Sequence, residues 1–132
     1  MKTGEGAVLD ASALLAVLLG EPGAERVEPY LPGAVISAVN LSEAAGKLLE
    51  KGAPLEAVKA AIAAVGLEVI AFDEEQAMAA ADLRVRTRAL GLSLGDRACI
   101  ALGEMRRTTV FTCDRAWAQV DSTADIVVAR PE

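Results

Sequence analysis

Short apolar runs alternate along the chain with longer stretches in which apolar residues recur at helical spacing. The runs are rich in residues that favour buried strands, and they occur at positions 7–9, 34–37, 67–72, 109–112 and 125–129. The stretches between them predict helices at positions 13–19, 24–31, about 40–51, 54–65, 74–90 and 97–105, with a last helical turn near position 117. This alternation predicts right-handed crossovers and a three-layer α/β/α sandwich with a central, mainly parallel sheet of about five strands.

Polar residues at the predicted helix starts have the character of N-caps. Ser12 offers a hydroxyl to the helix that follows the first strand, and Asp73 precedes the long helix at 74–90. Asn40 and Glu43 have the spacing of a capping box, with Asn40 at the N-cap and Glu43 at the third helical position. Capping alone would therefore account for Glu43 in the first turn of its helix.

The length and composition favour one α/β domain over residues 1–132, since single cores commonly form at about 100 to 150 residues. No apolar run reaches the roughly 18 residues that span a bilayer, and the first nine residues are too short and polar for a secretory signal. A cytoplasmic protein with no membrane association is expected. Cys99 and Cys113 lack CxxC spacing and are interpreted as free, packed thiols.

Charge and the absence of histidine exclude several function classes. The net charge of −6 argues against nucleic-acid binding through bulk positive charge, so any such contact must be local. The chain contains no histidine. This absence removes Ser-His-Asp and Cys-His nucleophile systems, HExxH zinc proteases and histidine-based ribonuclease chemistry.

Four carboxylates are predicted to meet at the carboxyl edge of the sheet. Asp10 and Asp114 follow two different strands, while Glu43 and Asp96 lie in the first turns of predicted helices that open at the same edge. Ligand crevices of parallel sheets lie at this edge. Each acid alone has an ordinary explanation as a helix cap, but their convergence requires a compensating positive charge.

A divalent cation is the natural compensation for such a cluster. Carboxylate oxygens suit Mg²⁺ or Mn²⁺, which keep several waters and hold a phosphate at the same time. The expected chemistry is phosphodiester hydrolysis by metal-activated water, with the cation stabilising charge on the phosphate and the leaving oxygen.

Four separated blocks of the sequence resemble PIN-domain proteins and, more narrowly, VapC-type toxins. In one-letter code these blocks are VLDASAL at 8–14, SAVNLSE at 37–43, LSLGD at 92–96 and TCDRAW at 112–117. They keep the order of the family's motifs and extend over nearly the whole chain.

The resemblance implies a Mg²⁺- or Mn²⁺-dependent endoribonuclease that is the toxin of a toxin–antitoxin pair. Asp10, Glu43, Asp96 and Asp114 match the family's catalytic, metal-binding acids. The resemblance further implies an RNA substrate, a homodimer, and a cognate antitoxin that places a basic side chain in the acidic pocket. Positions 24–31 and 54–65 are the candidate surfaces for these protein contacts.

Two hydroxyls and two arginines complete the candidate site. Ser12 matches the family's small hydroxyl after the first acid and would orient Asp10 or a water, in addition to capping a helix. Thr112 matches the hydroxyl two residues before the last acid, although a β-branched residue at a strand end needs no functional explanation. Arg97 and Arg115 adjoin acids and are the preferred phosphate contacts among the arginines, which are otherwise typical of a solvated helix face.

Three other kinds of protein could also carry acids at these positions. A phosphorylatable receiver domain also has an acidic magnesium pocket, and Asp73 suits it, but paired acids after the first strand are lacking. A haloacid-dehalogenase-type phosphatase needs a second Asp where this chain has Ser12. A non-catalytic interaction module remains if the acids only cap helices.

Overall fold

Parallel pairing joins the five strands of the described chain into one sheet, in the order β3-β2-β1-β4-β5. The computed structural model describes residues 6–130. They are β1 (Val8–Leu9), β2 (Val35–Ser37), β3 (Glu68–Ile70), β4 (Thr109–Thr112) and β5 (Asp125–Val128). The predicted parallel sheet of about five strands is confirmed.

Six α-helices connect these strands within residues 6–130 and cover the two faces of the sheet. They are α1 (Ala11–Leu19), α2 (Ala24–Val27), α3 (Ala38–Glu50), α4 (Leu55–Val65), α5 (Glu74–Arg86) and α6 (Leu94–Arg106). Short 3-10 helices follow at Glu28–Tyr30, Arg88–Leu90 and Arg115–Gln119. The three-layer arrangement agrees with the sequence prediction.

Successive residues of the central strands face two separate cores. Leu9, Ile36 and Phe111 pack into a core with residues of α1, α3 and α4. Their strand neighbours Val8, Val35 and Val110 instead join Leu83 of α5, Ile100 of α6 and the fully buried Trp117. This alternation follows from the two-residue period of a strand. Strands β1 and β4, which carry these residues, pair with each other in the middle of the sheet.

The first helix begins earlier than predicted, and its cap is a different residue. Asp10, not Ser12, is the N-cap of α1, and its Oδ1 accepts a hydrogen bond from the Ala13 amide at 2.8 Å. Ser12 is already the second residue of the helix. A carboxylate that directly follows a strand can cap at once, so the prediction of Ser12 as the cap was wrong.

Helix α3 also begins earlier, which moves Glu43 into its second turn. Ser37 is the N-cap, and its hydroxyl accepts from the Val39 amide at 3.2 Å. The predicted Asn40–Glu43 capping box is therefore wrong, because both residues lie inside the helix. A capping box exists instead at α6, where the Ser93 side chain and Asp96 satisfy each other's backbone amides.

Three other predicted boundaries are shorter or shifted in the structure. The helix predicted at 24–31 divides into α2 and a 3-10 helix that contains Pro29, and the long helix predicted to Leu90 ends at Arg86 before another 3-10 helix. Helix α6 begins at Leu94 rather than Arg97. In the part of the chain that the structure describes, no helix has the length and apolar character needed to cross a membrane.

Candidate active site

The four predicted carboxylates line one crevice at the carboxyl edge of the sheet, together with Glu50. Asp10 follows β1 and Asp114 follows β4, which are paired strands, while Glu43 comes from α3 and Asp96 from the first turn of α6. The crevice has a volume of about 590 Å³, within the range of about 300 to 1,000 Å³ that small-ligand sites have. The structure therefore brings together all four acids that the sequence analysis selected.

Asp10 is the buried member of the group, with 5% of its surface exposed. Thr112 donates a hydrogen bond to Oδ2 at 2.6 Å, and Oδ1 accepts from the Ser12 hydroxyl at 2.7 Å and from the Ala13 amide. Burial nevertheless dominates and raises the pKa of Asp10 to about 6, and the negative charge of Asp96 raises it further. A cation placed beside Asp10 would relieve this penalty.

Two hydroxyls join the ends of β1 and β4 around Asp10. Ser12 donates to Asp10 and accepts from the Cys113 amide at 2.8 Å. Thr112 donates to Asp10 and accepts from the Asp114 amide at 3.0 Å. Each hydroxyl therefore has its donor and acceptor directions fixed, and the position of Asp10 is coupled to the loop that carries Asp114.

Asp96 and Asp114 are more exposed than Asp10, and each also accepts a hydrogen bond from a backbone amide at the start of a helix. Asp96 Oδ2 accepts from the Ser93 amide at 3.0 Å, and Asp114 Oδ1 accepts from the Ala116 amide at 2.9 Å. One carboxylate oxygen of each acid is therefore committed to the backbone. The other oxygen of each carboxylate can face a ligand in the crevice.

Glu43 is held by Asn40 through a contact between their side chains and not through a capping box. Asn40, which is fully buried, donates from Nδ2 to Glu43 Oε1 at 3.3 Å and to the Gly95 carbonyl at 3.0 Å. Asn40 thus ties α3 to the first turn of α6, next to Asp96. Its Oδ1 is buried and has no hydrogen-bond partner within residues 6–130, and Asn40 itself belongs to the crevice lining.

Gly95 makes room for the Glu43 carboxylate. A Cβ built at position 95 would overlap both carboxylate oxygens of Glu43. The sequence analysis missed this role. The signal that could have found it is a glycine directly before Asp96, since a glycine in the first turn of a helix is unfavourable without a packing reason.

Gly95→Ala is expected to displace Glu43 from the crevice and to lower activity about tenfold or more, with a small change in stability. The overlapped atoms end a long, exposed side chain that can move away, whereas Asp96 beside it keeps its capping box. The rate of RNA cleavage, the activity that the family resemblance implies, and the melting temperature measure the two effects. Gly46→Ala is the matched control, because its Cβ meets nothing within 4 Å and alanine should stabilise α3 by about 1 kcal/mol. Equal activity of both variants would contradict this role for Gly95.

Neither arginine selected from the sequence lines the acidic crevice. Arg97 Nη1 donates to the Ala80 carbonyl at 3.0 Å and lines a separate pocket between α5 and α6. Arg115 lines a groove next to the crevice, together with Asp114. Contact of either arginine with RNA stays a prediction. Asp73, on which the receiver-like alternative depended, caps α5 and is also absent from the crevice lining.

The two cysteines differ in their environments. Cys99 is fully buried, and burial together with the charges of Asp10, Asp96 and Glu43 raises the pKa of its thiol well above the ordinary value. It therefore lies beneath the acidic cluster as an inert core residue. Cys113 was interpreted as a packed thiol, but it is half-buried and lines the neighbouring groove.

The donor set of the crevice fits a hard divalent cation. The uncompensated burial of Asp10 and the unpartnered Asn40 oxygen both mark a place where positive charge is favourable. Within residues 6–130, no three Asp, Glu or Cys side chains stand close enough to enclose an ion. A hard cation that keeps several waters needs only one or two protein carboxylates.

Comparisons with known proteins agree with this geometry. The PIN-domain family model matches residues 7–122. Because this match covers most of the chain, the protein belongs to the PIN-domain family. A comparison with curated proteins gave no significant match.

Solved structures of toxin–antitoxin proteins have the same fold. A toxin–antitoxin complex from Klebsiella pneumoniae aligns with a TM-score of 0.73 and 18% identity, over 92% of this chain and 96% of that chain. DNA-bound VapBC from Salmonella typhimurium aligns with a TM-score of 0.74 and 20% identity, over 93% and 97%. VapBC-5 from Mycobacterium tuberculosis aligns with a TM-score of 0.63 and 23% identity, over 96% and 99%. At these identities the likeness establishes the fold.

Proposed function

We propose that this protein is a metal-dependent endoribonuclease, the toxin of a VapBC-type toxin–antitoxin pair. The observation that carries the proposal is the convergence of Asp10, Glu43, Asp96 and Asp114 on one open crevice of a histidine-free PIN domain. No basic side chain other than Lys47 lines this crevice among the described residues. A cluster of this charge favours a divalent cation and a phosphodiester held by it.

The four acids would hold Mg²⁺ or Mn²⁺, and Asn40 Oδ1 would add an oxygen at the edge of the site. When bound, the cation would polarise the phosphodiester and stabilise the negative charge that develops on the phosphate and the leaving oxygen. Thr112 and Ser12 would keep both oxygens of Asp10 oriented during this chemistry. Gly95 and Asn40 would keep Glu43 within the crevice.

The toxin assignment and its partners rest on the family and on the fold. The Klebsiella structure is a toxin–antitoxin complex, and the Salmonella structure is a DNA-bound VapBC. We extend from these relatives the expectation of a cognate antitoxin that covers the acidic crevice, and of a toxin homodimer. A basic antitoxin side chain in the crevice would compensate the same carboxylates that a cation does.

The proposed activity is tested by incubating the purified protein with a labelled RNA and with a DNA of the same sequence. Cleavage within the RNA is expected with Mg²⁺ or Mn²⁺, and EDTA should remove it. Sequencing of the RNA ends then identifies the cleaved bond. An absence of cleavage with either metal, on transfer RNA, ribosomal RNA and messenger RNA alike, would refute the proposal. Cleavage that continues in EDTA would refute its metal dependence.

A further inference from the structure

A second groove adjoins the acidic crevice and shares Ser12, Lys47 and Asp114 with it. This neighbouring groove has a volume of about 710 Å³. It lies at the same carboxyl edge of the sheet, because the loop after β4 and the end of β5 both contribute to it. A nucleic-acid strand that enters the acidic crevice can therefore continue into the neighbouring groove.

The neighbouring groove differs from the crevice in the sign of its charge. Its ionic side chains are four cations and two anions, namely Lys47, Lys51, Arg115, Arg130, Glu21 and Asp114. The crevice has five anions and one cation, namely Asp10, Glu43, Glu50, Asp96, Asp114 and Lys47. A local excess of positive charge beside the acids is unexpected in a chain of net charge −6. It provides the local cationic contact that a polyanion needs in order to bind such a chain.

Helix α3 sets the order of these charges along one line. Glu43, Lys47 and Lys51 recur every four residues, so they lie on the same side of the helix and its C-cap. At a rise of about 1.5 Å per residue, Lys51 lies about 12 Å from Glu43 along the axis. Lys47 therefore stands at the border of the acidic crevice, and Lys51 lies farther along the helix in the neighbouring groove.

The opposite wall of the groove is fixed by the sheet. The Ala129 amide donates to the Thr112 carbonyl at 2.7 Å, which holds the end of β5 against the end of β4. Arg130 follows at once and is exposed in the groove. Cys113 of the loop after β4 lines the same groove. Two cations from unrelated elements, Lys51 and Arg130, thus face one groove.

We propose that the neighbouring groove binds backbone phosphates of the RNA on one side of the bond that is cleaved. This inference rests on the proposed ribonuclease function. The acidic crevice repels a polyanion, and cations at its border offset that repulsion while leaving the acids available for a metal ion. Contacts to phosphates carry no base information, so the groove sets the register of the RNA and not its sequence preference.

The test is the double variant Lys51→Gln with Arg130→Gln, made in full-length protein that also carries Asp10→Asn to prevent cleavage. Binding of a fluorescent ten-nucleotide single-stranded RNA is measured by anisotropy between about 50 and 200 mM KCl. We expect affinity to fall about tenfold at the lower salt concentration, and the slope of log affinity against log salt to decrease by about 1.4 for two lost phosphate contacts. Melting temperature should be unchanged, since both side chains are exposed.

A matched control removes the same charge elsewhere. Lys59→Gln with Arg26→Gln changes two exposed cations on α4 and α2 that do not line the groove. This control should leave both the affinity and the salt slope close to those of the parent. Equal losses in the two double variants would mean that overall charge, and not the groove, binds the RNA.

Three further outcomes separate the possible failures. If the wild-type chain cleaves RNA while the Lys51 and Arg130 double variant binds RNA as the parent does, the groove proposal alone is overturned. If that variant instead loses binding of a fluorescent poly-glutamate peptide but not of RNA, the groove is a docking site for an acidic protein segment. If the wild type neither binds nor cleaves RNA, the proposed function fails and the groove proposal fails with it.

Discussion

The Asp10→Asn variant is expected to lose RNA cleavage by a factor of about 10³ or more while remaining folded. Asp10 is the most buried of the four acids in the crevice, and loss of its charge would weaken the proposed site for a divalent cation. A bound metal ion contributes several kcal/mol of transition-state stabilisation, and each 1.4 kcal/mol corresponds to about a tenfold change in rate. Cleavage of a labelled RNA under single-turnover conditions measures the loss.

The fold of this variant should persist because asparagine reproduces the contacts of the carboxylate. Its amide oxygen can accept from the Ala13 amide, and its amino group can donate to the hydroxyl of Thr112 after that hydroxyl rotates. Asp96→Asn should also abolish cleavage and keep the helix cap that Ser93 and Asp96 form. Full activity of either variant would remove the carboxylates from the mechanism and leave the non-catalytic interaction module as the better interpretation.

The second prediction is that Asp10→Asn stabilises the metal-free protein at neutral pH. Below about pH 3.8, Asp10 is protonated in both the folded and unfolded chain and contributes nothing. Between about pH 3.8 and 6 the unfolded chain releases this proton while the folded chain retains it, so folding becomes less favourable as pH rises. Above about pH 6 the full penalty applies, and the raised pKa corresponds to about 3 kcal/mol.

Urea unfolding in EDTA, at about pH 4 and about pH 7.5, measures this penalty. The variant should exceed the wild type in free energy of unfolding by about 3 kcal/mol at the higher pH, and this difference should vanish near the lower pH. Asp73→Asn is the control, because Asp73 caps α5 in the same manner but is exposed. A difference independent of pH would show that burial of the Asp10 charge is not its source.

Addition of Mg²⁺ or Mn²⁺ at concentrations well above the dissociation constant should make the wild type more stable to unfolding than Asp10→Asn. A ligand that binds only the folded state stabilises it by an amount that grows with its concentration relative to its dissociation constant. The wild type should therefore gain stability with metal ion at pH 7.5, whereas Asp10→Asn should gain little. This readout does not depend on catalysis, so it tests the cation site even if the RNA substrate is not in hand.

The sequence determined the central sheet and the acids that end its strands. Runs such as Val8-Leu9 and Val110-Phe111 must be buried on both faces, and helical stretches between them permit only parallel crossovers. Acids that follow such strands must then meet at one edge. Asp10 and Asp114 could be placed in this way from the chain alone, because strand periodicity and sheet topology are local and robust signals.

The tertiary structure decided which polar side chain forms hydrogen bonds with which backbone group or side chain. Asn40 and Ser12 each had a plausible local role as helix caps, but in the fold Asp10 and Ser37 cap those helices. Beside their contacts with Glu43 and Asp10, the two residues form hydrogen bonds with atoms far away in sequence. The fit of Gly95 against Glu43 also depends on the approach of α3 to α6. Sequence spacing reports contacts within one helical turn, whereas contacts between elements depend on how their cores pack. For that reason the cluster of acids could be predicted from the sequence. The basic groove beside it depends on the packing of α3, β4 and β5 against one another, which the sequence alone does not show.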